Sequence, residues 1–441
     1  MNTIKNTRVT LLLVALLLPA TACPQKRDLA ECITRAIESN FALKIKRNTA
    51  AMARENANLS PFLPSIEATA RQNQATNDTR RESNSGTITR TDGVATNSYS
   101  AGVALQWRLF DGLDMFATRD RLRELESLGE LTLQHEIEAL VVRVCSLYYD
   151  VVVQQYRLEA TRHTLALSRE RYEDAQFRHG IGKISGLEAR QAIVDLHADS
   201  SAHVRQEEQV KNAYIELNKT MNVNLQLTAY VRDTLVMGTP PSPDVLEKQA
   251  INNNKLLAIA RGEQRISELD YRKSRALFLP TLDFSSGYNY TLTGTPAADP
   301  RLNRTNGPYW GFSATIPIFN KTLNRARARN ARLEVENSAW SYRETEQELL
   351  SDLALVHNAY KSNLLVVSFE SEGADIAGTN LDEALAMFKL GALSGIDFRQ
   401  FQQSYINAVD RKFSAMYQAK MSELALLLIS GTVAELFTSL Q

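Results

Sequence analysis

Hydrophobic and polar residues alternate in four stretches of the chain, with the period of two that is typical of β-strands whose two faces differ. In the stretch 99–110, Leu105 and Trp107 lie on one face and Gln106 lies on the other. The same pattern predicts strands near residues 64–77, 280–293 and 308–319. Polar, turn-rich sequence separates the members of each strand pair and predicts two long loops, at 77–97 and 293–307.

Two further stretches have the spacing of very long helices. Residues 113–177 contain no proline, and apolar side chains recur there at three- and four-residue steps, for example at Leu140, Val144 and Leu147. Residues 322–390 have the same character. About 65 helical residues span roughly 100 Å at 1.5 Å per residue. Helices of this length belong to coiled coils or tubes and not to an ordinary globular core.

The second half of the chain repeats the first. The segment SPFLPSIEATA at 60–70 returns as ALFLPTLDFSS at 276–286, and the arginine-rich start of the long helix at 119–123 returns at 325–329. Each half therefore reads strand, strand, long helix, turn, helix, and the repeat offset lies between 206 and 216 residues.

One turn sequence occurs in both repeats, as FRHGIGKISGLEARQ at 177–191 and FKLGALSGIDFRQ at 388–400. We predict that Gly180 and Gly182, or Gly391, end the long helix, because glycine accepts left-handed dihedral angles. Ser185 and Ser394 are predicted to cap the next helix. Acidic residues favour the first turn of a helix, where Glu188 and Asp397 fall.

The N-terminus has the pattern of a targeting segment: basic residues, the apolar run VTLLLVALLLPA and the small residues ATAC. Residues 1–22 are therefore predicted to be a signal peptide that leads the protein out of the cytoplasm. Two forms of processing remain open, ordinary cleavage after Ala-Thr-Ala and acylation of Cys23 in the manner of a bacterial lipoprotein. Of these two, we predict acylation of Cys23.

Composition and motifs exclude several classes of function. The 50 basic and 50 acidic side chains balance, which argues against a nucleic-acid partner. The motif His135-Glu136 lacks the second histidine of a zinc protease, and GIGKIS lacks the frame of a phosphate-binding loop. The sequence therefore predicts no catalytic residues, no metal site, no cofactor and no enzyme.

Four strands that each have a polar and an apolar face are too few to close a membrane β-barrel. A membrane barrel needs about eight strands at least, and an open sheet edge is not tolerated in hydrocarbon. If the strands face lipid, several chains must share one barrel. The rival interpretation is a trimeric coiled-coil scaffold or adhesin-like stalk that ends in a soluble β head and transports nothing.

The duplicated order, the signal peptide and the repeated turn resemble the TolC-type outer-membrane efflux proteins over essentially the whole mature chain. This resemblance implies a mainly α fold with a β-barrel part, in which a homotrimer forms a 12-stranded barrel that continues as a periplasmic α-helical tube. It also implies an exit duct that meets a periplasmic adaptor and an inner-membrane pump, in contact with outer membrane lipid of a Gram-negative cell. Ducts of this kind serve drug efflux, metal-cation efflux and protein secretion alike.

The resemblance sets the expected boundaries. After the signal peptide we expect a first repeat at 23–221, an equatorial segment at 222–257, a second repeat at 258–430 and an equatorial tail at 431–441. The prolines and the short apolar run of the segment between the repeats predict a strand and a loop, followed by a helix that starts at Ser242-Pro243-Asp244.

The resemblance also implies two kinds of site. The turns should dock the adaptor, through Gly180, Gly182, Ser185, Gly186, Gly391, Ser394 and Gly395. The second turn should also hold the periplasmic gate. Asp397 matches the family's first gate aspartate, Gln400 stands where a second aspartate is common, Leu393 where a basic latch is common and Phe388 where a tyrosine is common. We therefore expect three Asp397 carboxylates near the axis and a closed state held by Leu393 and Phe388.

Overall fold

A computed structural model describes residues 28–228, 231, 234–296 and 300–434. The predicted signal peptide, Cys23 and residues 435–441 of the expected tail lie outside these residues. In chain order, the first repeat contains α1 (Leu29–Ser39), α2 (Phe41–Asn56), β1 (Ser65–Glu82), β2 (Ile88–Asp111), α3 (Asp114–Gly180) and α4 (Gly186–Thr220). Helix α5 (Pro243–Asn253) lies in the segment between the repeats, and the second repeat contains α6 (Lys255–Ala276), β3 (Thr281–Gly294), β4 (Leu302–Thr315), α7 (Leu323–Leu390) and α8 (Gly395–Ser430).

The predicted order of strand, strand, long helix, turn and helix is present in both repeats. The long helices contain 67 and 68 residues, so the expectation of helices far beyond globular length is confirmed. Among the helices of the described residues, none is both long enough and apolar enough to cross a membrane.

The chain divides into two compact units. Among the described residues, one unit is drawn from 28–36, 144–236 and 369–417, and it contains both repeated turns. The other unit is drawn from the described residues of 37–143, 237–368 and 418–434, and it contains the sheet.

The sheet is a four-stranded antiparallel meander in the order β1-β2-β3-β4, which leaves β1 and β4 at its edges. Its register places Trp107 opposite Phe284 and Phe284 opposite Phe312, so the three aromatic side chains share one face. The rings of Phe284 and Phe312 are 5.0 Å apart. Phe312 is nevertheless 62% exposed and Trp310 is 73% exposed. The sheet thus presents an apolar face that the chain itself does not cover.

The strand bounds correct the sequence prediction in three places. β3 reaches Gly294 and β4 begins at Leu302, so both strands extend into the predicted loop at 293–307. β1 and β2 extend through the polar stretch to Glu82 and Ile88, so the predicted loop at 77–97 shrinks to residues 83–87. Cross-strand backbone hydrogen bonds form there although the sequence is polar. At the other end, β4 stops at Thr315, because Pro317 has no N–H to donate to a strand ladder.

The segment between the repeats also differs from the prediction. Of residues 222–242, those that the structure describes form no strand, although one was expected there. The helix predicted to start at Ser242-Pro243 is present as α5, with proline in its first turn.

Helices α5 and α6 pack against α7 and α8 in the unit that contains the sheet. Leu246, Ala250 and Leu257 form a buried cluster with residues of α7 and α8. Beside it, the Tyr360 hydroxyl donates a hydrogen bond to the carbonyl oxygen of Gly238 at 2.6 Å. Burial, reinforced by the nearby Glu423 carboxylate, raises the pKa of Tyr360 to about 12.

Candidate functional site

The first repeated turn ends α3 with a Schellman motif. Lys183 N–H donates to the carbonyl of Arg178 at 2.8 Å, and Gly182 N–H donates to that of His179 at 3.0 Å. Gly182 has a φ of 75°, which a residue with a side chain rarely adopts. Gly180 is the last residue of α3, as predicted, but its φ is not positive. The left-handed residue of this motif lies two positions further on.

The second turn repeats this geometry. Ala392 N–H donates to the carbonyl of Met387 at 2.9 Å, and Gly391 N–H donates to that of Phe388 at 3.0 Å. Gly391 has a φ of 76°, nearly equal to that of its counterpart. The two repeats therefore reverse the chain with one hydrogen-bonding pattern, as the duplicated sequence predicts.

Both predicted serine caps are confirmed. Ser185 Oγ accepts a hydrogen bond from Glu188 N–H at 3.2 Å, and Ser394 Oγ accepts one from Asp397 N–H at the same distance. The Ser394 hydroxyl also donates to the Asp397 carboxylate at 2.7 Å. Asp397 thus stabilises the start of α8, and its side chain stays exposed.

The two turns touch each other in the same unit. The Arg178 guanidinium donates to the carbonyl oxygens of Phe388 and Lys389, at 3.4 Å each, and lies 5.4 Å from the Phe388 ring. Arg178 therefore binds the C-terminal carbonyls of α7, where a positive charge is favoured. A groove of about 340 Å³ runs between the turns and is lined by Arg178, Glu188, Phe388 and Ser394 among others.

Charged and polar side chains are buried behind the turns. Arg399 of α8 binds Asp199 of α4 through two hydrogen bonds, of 2.5 and 2.8 Å. Ser168 of α3 donates to the same carboxylate at 2.5 Å and accepts from Gln402 at 3.2 Å. The hydrogen bond to Asp199 raises the pKa of Arg399 and burial opposes it, so the guanidinium stays charged.

A second buried arginine lies nearer the turns. Arg171 of α3 forms an ion pair with Asp195 of α4 and donates to the carbonyl oxygen of Gly395 at 3.1 Å. Its side chain is only 5% exposed. Neither arginine stands out in the sequence as a functional residue. The sequence offers one indication of their burial: each arginine lies on a helical face whose other side chains are apolar or small.

The four residues expected at the gate lie in two different environments. Asp397 and Gln400 are exposed in the first turns of α8. Phe388 is buried in a cluster with Leu167, Leu381 and Phe398, against which Leu393 packs. The ring of Phe388 stacks on that of Phe398 at 5.3 Å, so its apolar contacts are made within its own chain.

The remaining turn residues occupy helix starts. Gly186 and Gly395 are the first residues of α4 and α8. A Cβ added to Gly395 would lie 3.6 Å from a carboxylate oxygen of Glu188, which shows how closely the second turn approaches the first. Within residues 28–228, 231, 234–296 and 300–434, no cluster of histidine, cysteine and carboxylate side chains has the composition of a metal site.

Comparison with known proteins identifies the fold. The chain is similar to the outer membrane protein TolC of Vibrio cholerae, with 21% identity over 92% of this chain and 91% of that protein. It is 22% identical to the probable outer membrane lipoprotein SilC of Salmonella typhimurium, over 77% of this chain and 74% of that protein. The crystal structure of the CmeC outer membrane channel of Campylobacter jejuni superposes with a TM-score of 0.75 at 14% identity, covering 93% and 89% of the two chains.

The family model for outer membrane efflux proteins matches residues 32–223 and 246–432, one stretch in each repeat. Together these stretches cover most of the chain. The chain belongs to the outer membrane efflux protein family.

Proposed function

We propose that the protein is the outer-membrane exit duct of a tripartite efflux or type I secretion system, and that it works as a homotrimer. As a family member it resides in the outer membrane of a Gram-negative bacterium and extends into the periplasm. The observation that carries the proposal is the incomplete sheet, with four strands, two edges and an apolar face that the chain leaves exposed.

Three copies would complete this sheet. If β4 of one copy pairs with β1 of the next, twelve strands close and no edge remains in hydrocarbon. The aromatic face with Trp107, Phe284 and Phe312 then meets lipid, and the opposite face lines the lumen. On that opposite face Asn289 lies close against the backbone of β2, because a Cβ at Gly102 would lie 2.3 Å from Asn289 Oδ1.

Native mass spectrometry in mild detergent tests this assembly. The proposal predicts three chains per particle and no smaller species at equilibrium. A particle that is monomeric in mild detergent would contradict the trimer. A trimer that needs no detergent to stay in solution would favour the rival scaffold interpretation.

The two turns are the proposed docking site for a periplasmic adaptor, which couples the duct to an inner-membrane pump. Apolar side chains are exposed around both turns: Ile181 at 52%, Leu187 at 71%, Leu390 at 85% and Ile396 at 75%. We expect Leu390→Glu to abolish capture of the adaptor encoded beside this protein. Ile88→Glu, a similar change at the β1–β2 hairpin of the other unit, where the side chain is 50% exposed, should not affect capture. Equal loss in both variants would argue against docking at the turns.

Asp397 is the proposed constriction residue. Threefold symmetry would bring three exposed carboxylates together, and rings of carboxylates favour cations. Gln400 lies nearly one helical turn further along α8 and adds no charge, so a single acidic ring is proposed. Its closed state relies on Leu393 more than on Phe388, whose ring is committed to its own chain.

Acylation of Cys23 is the remaining proposal for the N-terminus. The relative SilC is named a probable outer membrane lipoprotein, which supports the same processing here. Mass spectrometry of the mature N-terminal peptide tests it: a diacylglyceryl-modified Cys23 supports the proposal, and a peptide that starts with an unmodified Cys23 contradicts it.

A further inference from the structure

Four basic side chains are exposed where the sheet is followed by α7. Lys321 lies in the connection after β4, and Arg325, Arg327 and Arg329 lie in the first two turns of α7. Within the part of the chain that the structure describes, no carboxylate lies within ion-pair distance of these four side chains. The first acidic residue of α7 is Glu334. The four cations together are called the basic patch below.

The local structure disfavours positive charge at the basic patch. A helix N-terminus carries a partial positive charge, and α7 has no acidic residue in its first turn, whereas α3 has Asp114 there. Lys321 also has a φ of 38°, at the position where the first repeat has Gly112, because IFNK at 318–321 matches LFDG at 109–112. Residues with side chains are disfavoured in that region of φ. The chain therefore holds these cations against its own local preferences, which indicates an anion from outside the chain.

The first repeat compensates the charge of its matching helix start within the chain. Arg121 of α3 is paired with Asp270 of α6 at 2.8 Å. In the proposed trimer, α2 of the next copy takes the place of α6 beside α7, because β1 of that copy pairs with β4. The repeated segments at 60–70 and 276–286 place Arg54 in α2 where α6 has Asp270. The seam between two copies therefore lacks the carboxylate that neutralises the first repeat.

The basic patch lies at the level of lipid headgroups. β4 ends at Thr315, and the first seven residues of α7 span only about 10 Å at 1.5 Å per residue. The headgroup layer on each side of the hydrocarbon core is about 5–8 Å thick, and arginine side chains are long enough to reach it from the adjacent helix. The helices leave the sheet at this end, opposite the hairpin at 83–87. In the proposed assembly the patch therefore faces the periplasmic leaflet.

We propose that the basic patch binds the phosphate groups of anionic phospholipids in the periplasmic leaflet of the outer membrane, at the seam between neighbouring copies. Guanidinium groups suit this ligand, because their planar fork donates two parallel hydrogen bonds to a phosphate. A zwitterionic lipid is a poorer partner, since its own ammonium group balances its phosphate. This inference rests on the proposed function, since it presupposes a barrel in the membrane.

Native mass spectrometry of the full-length protein in mild detergent tests the proposal. The protein is titrated with phosphatidylglycerol or with phosphatidylcholine of the same acyl chains, and the two dissociation constants are compared. The wild-type protein should bind phosphatidylglycerol more tightly. Each basic residue near an anionic surface contributes roughly a fivefold factor in affinity. The triple glutamine variant Arg325→Gln, Arg327→Gln, Arg329→Gln should therefore bind phosphatidylglycerol about a hundredfold more weakly and phosphatidylcholine as before.

Two matched variants are the controls. A triple lysine variant of the same three positions keeps the charge and should lose far less affinity than the triple glutamine variant. The variant Arg169→Gln, Arg205→Gln, Lys211→Gln removes the same net charge from exposed positions of the unit that contains the turns. It should bind phosphatidylglycerol as tightly as the wild-type protein does.

Equal binding of the two lipids by the wild-type protein, or a loss below about tenfold in the triple glutamine variant, would overturn the proposal. Equal losses in the glutamine and lysine variants would also overturn it, because charge would then not be the cause. A triple glutamine variant that dissociates into monomers and keeps its lipid preference would show that the cations bind carboxylates of the neighbouring copy instead. Failure of the proposed function gives a different result, since the wild-type protein would then be monomeric and would retain neither lipid.

Discussion

Replacing Arg399 by glutamine should weaken the packing of α8 against α3 and α4 near the turns. The wild-type guanidinium makes two charge-assisted hydrogen bonds to Asp199. Glutamine cannot replace them, and the Asp199 carboxylate would keep only the hydrogen bond from Ser168. The variant thus leaves a negative charge buried between α3, α4 and α8.

The size of the effect follows from burial. Removing one partner of a buried ion pair costs about 3–5 kcal/mol. The Arg399 side chain is 21% exposed, so some water can enter, and we expect the lower end, about 3 kcal/mol. Since about 1.4 kcal/mol corresponds to a factor of ten, local opening should become roughly a hundredfold more frequent.

Hydrogen exchange followed by mass spectrometry measures this opening directly, because it reports local free energies segment by segment. Peptides that cover α4 around Asp199 and α8 around Arg399 should exchange roughly a hundred times faster in the variant. Peptides from the sheet should be unchanged, because the network lies in the unit that contains the turns.

The matched control is Arg411→Gln on the same helix. Arg411 pairs with Glu370 at 2.9 Å, but its side chain is 56% exposed. Exposed pairs contribute about 1 kcal/mol at most, so exchange should rise by no more than about fivefold. Similar exchange in the two variants would refute the argument that burial makes the Arg399 tie strong.

Three further predictions concern the proposed gate, the lipid face and Tyr360 of α7. Asp397→Asn should reduce cation selectivity, measured as a shift in reversal potential under a salt gradient. Glu188→Gln, at the matching position of the first turn, should leave the reversal potential unchanged. An unchanged reversal potential in Asp397→Asn would show that Asp397 does not lie at the constriction. Phe312→Arg should destabilise the barrel by about 2–4 kcal/mol near the bilayer midplane, and Thr315→Arg on the other face should cost less, so equal denaturant midpoints would reject the face assignment. The raised pKa of Tyr360 favours its neutral form in the folded state, so its stabilisation is complete below pH 10 and is lost as pH rises through about 12. Burial also raises the pKa of Tyr405 and Tyr417, so Tyr360→Phe should reduce the alkaline loss of stability in thermal melts without removing it, and an undiminished loss would contradict the prediction.

Elements defined by local sequence could be predicted. The repeated turns follow from glycine dihedrals and serine caps within a few residues, and the structure reproduces both hydrogen-bonding patterns. Even here the choice between Gly180 and Gly182 required the backbone, because both stand near the end of the apolar pattern and only Gly182 adopts a positive φ.

Features that join distant residues could not be predicted. Asp199 and Arg399 are 200 residues apart, and nothing in either neighbourhood indicates the partner. The same holds for the outer half of β1, where polar residues form a strand only because β2 supplies hydrogen-bonding partners in register. Phe388 is a third example: its position suggests a gate residue, but the stacking with Phe398 depends on how α7 and α8 pack.

Planar-bilayer recording of the purified protein, separated by size into trimer and monomer fractions, tests the central claim most directly. The account predicts stepwise ionic conductance from the trimer fraction and none from the monomer fraction, because one chain supplies only four of the strands that a closed barrel requires. A trimer that leaves the bilayer silent, or a monomer that conducts equally well, would contradict the account.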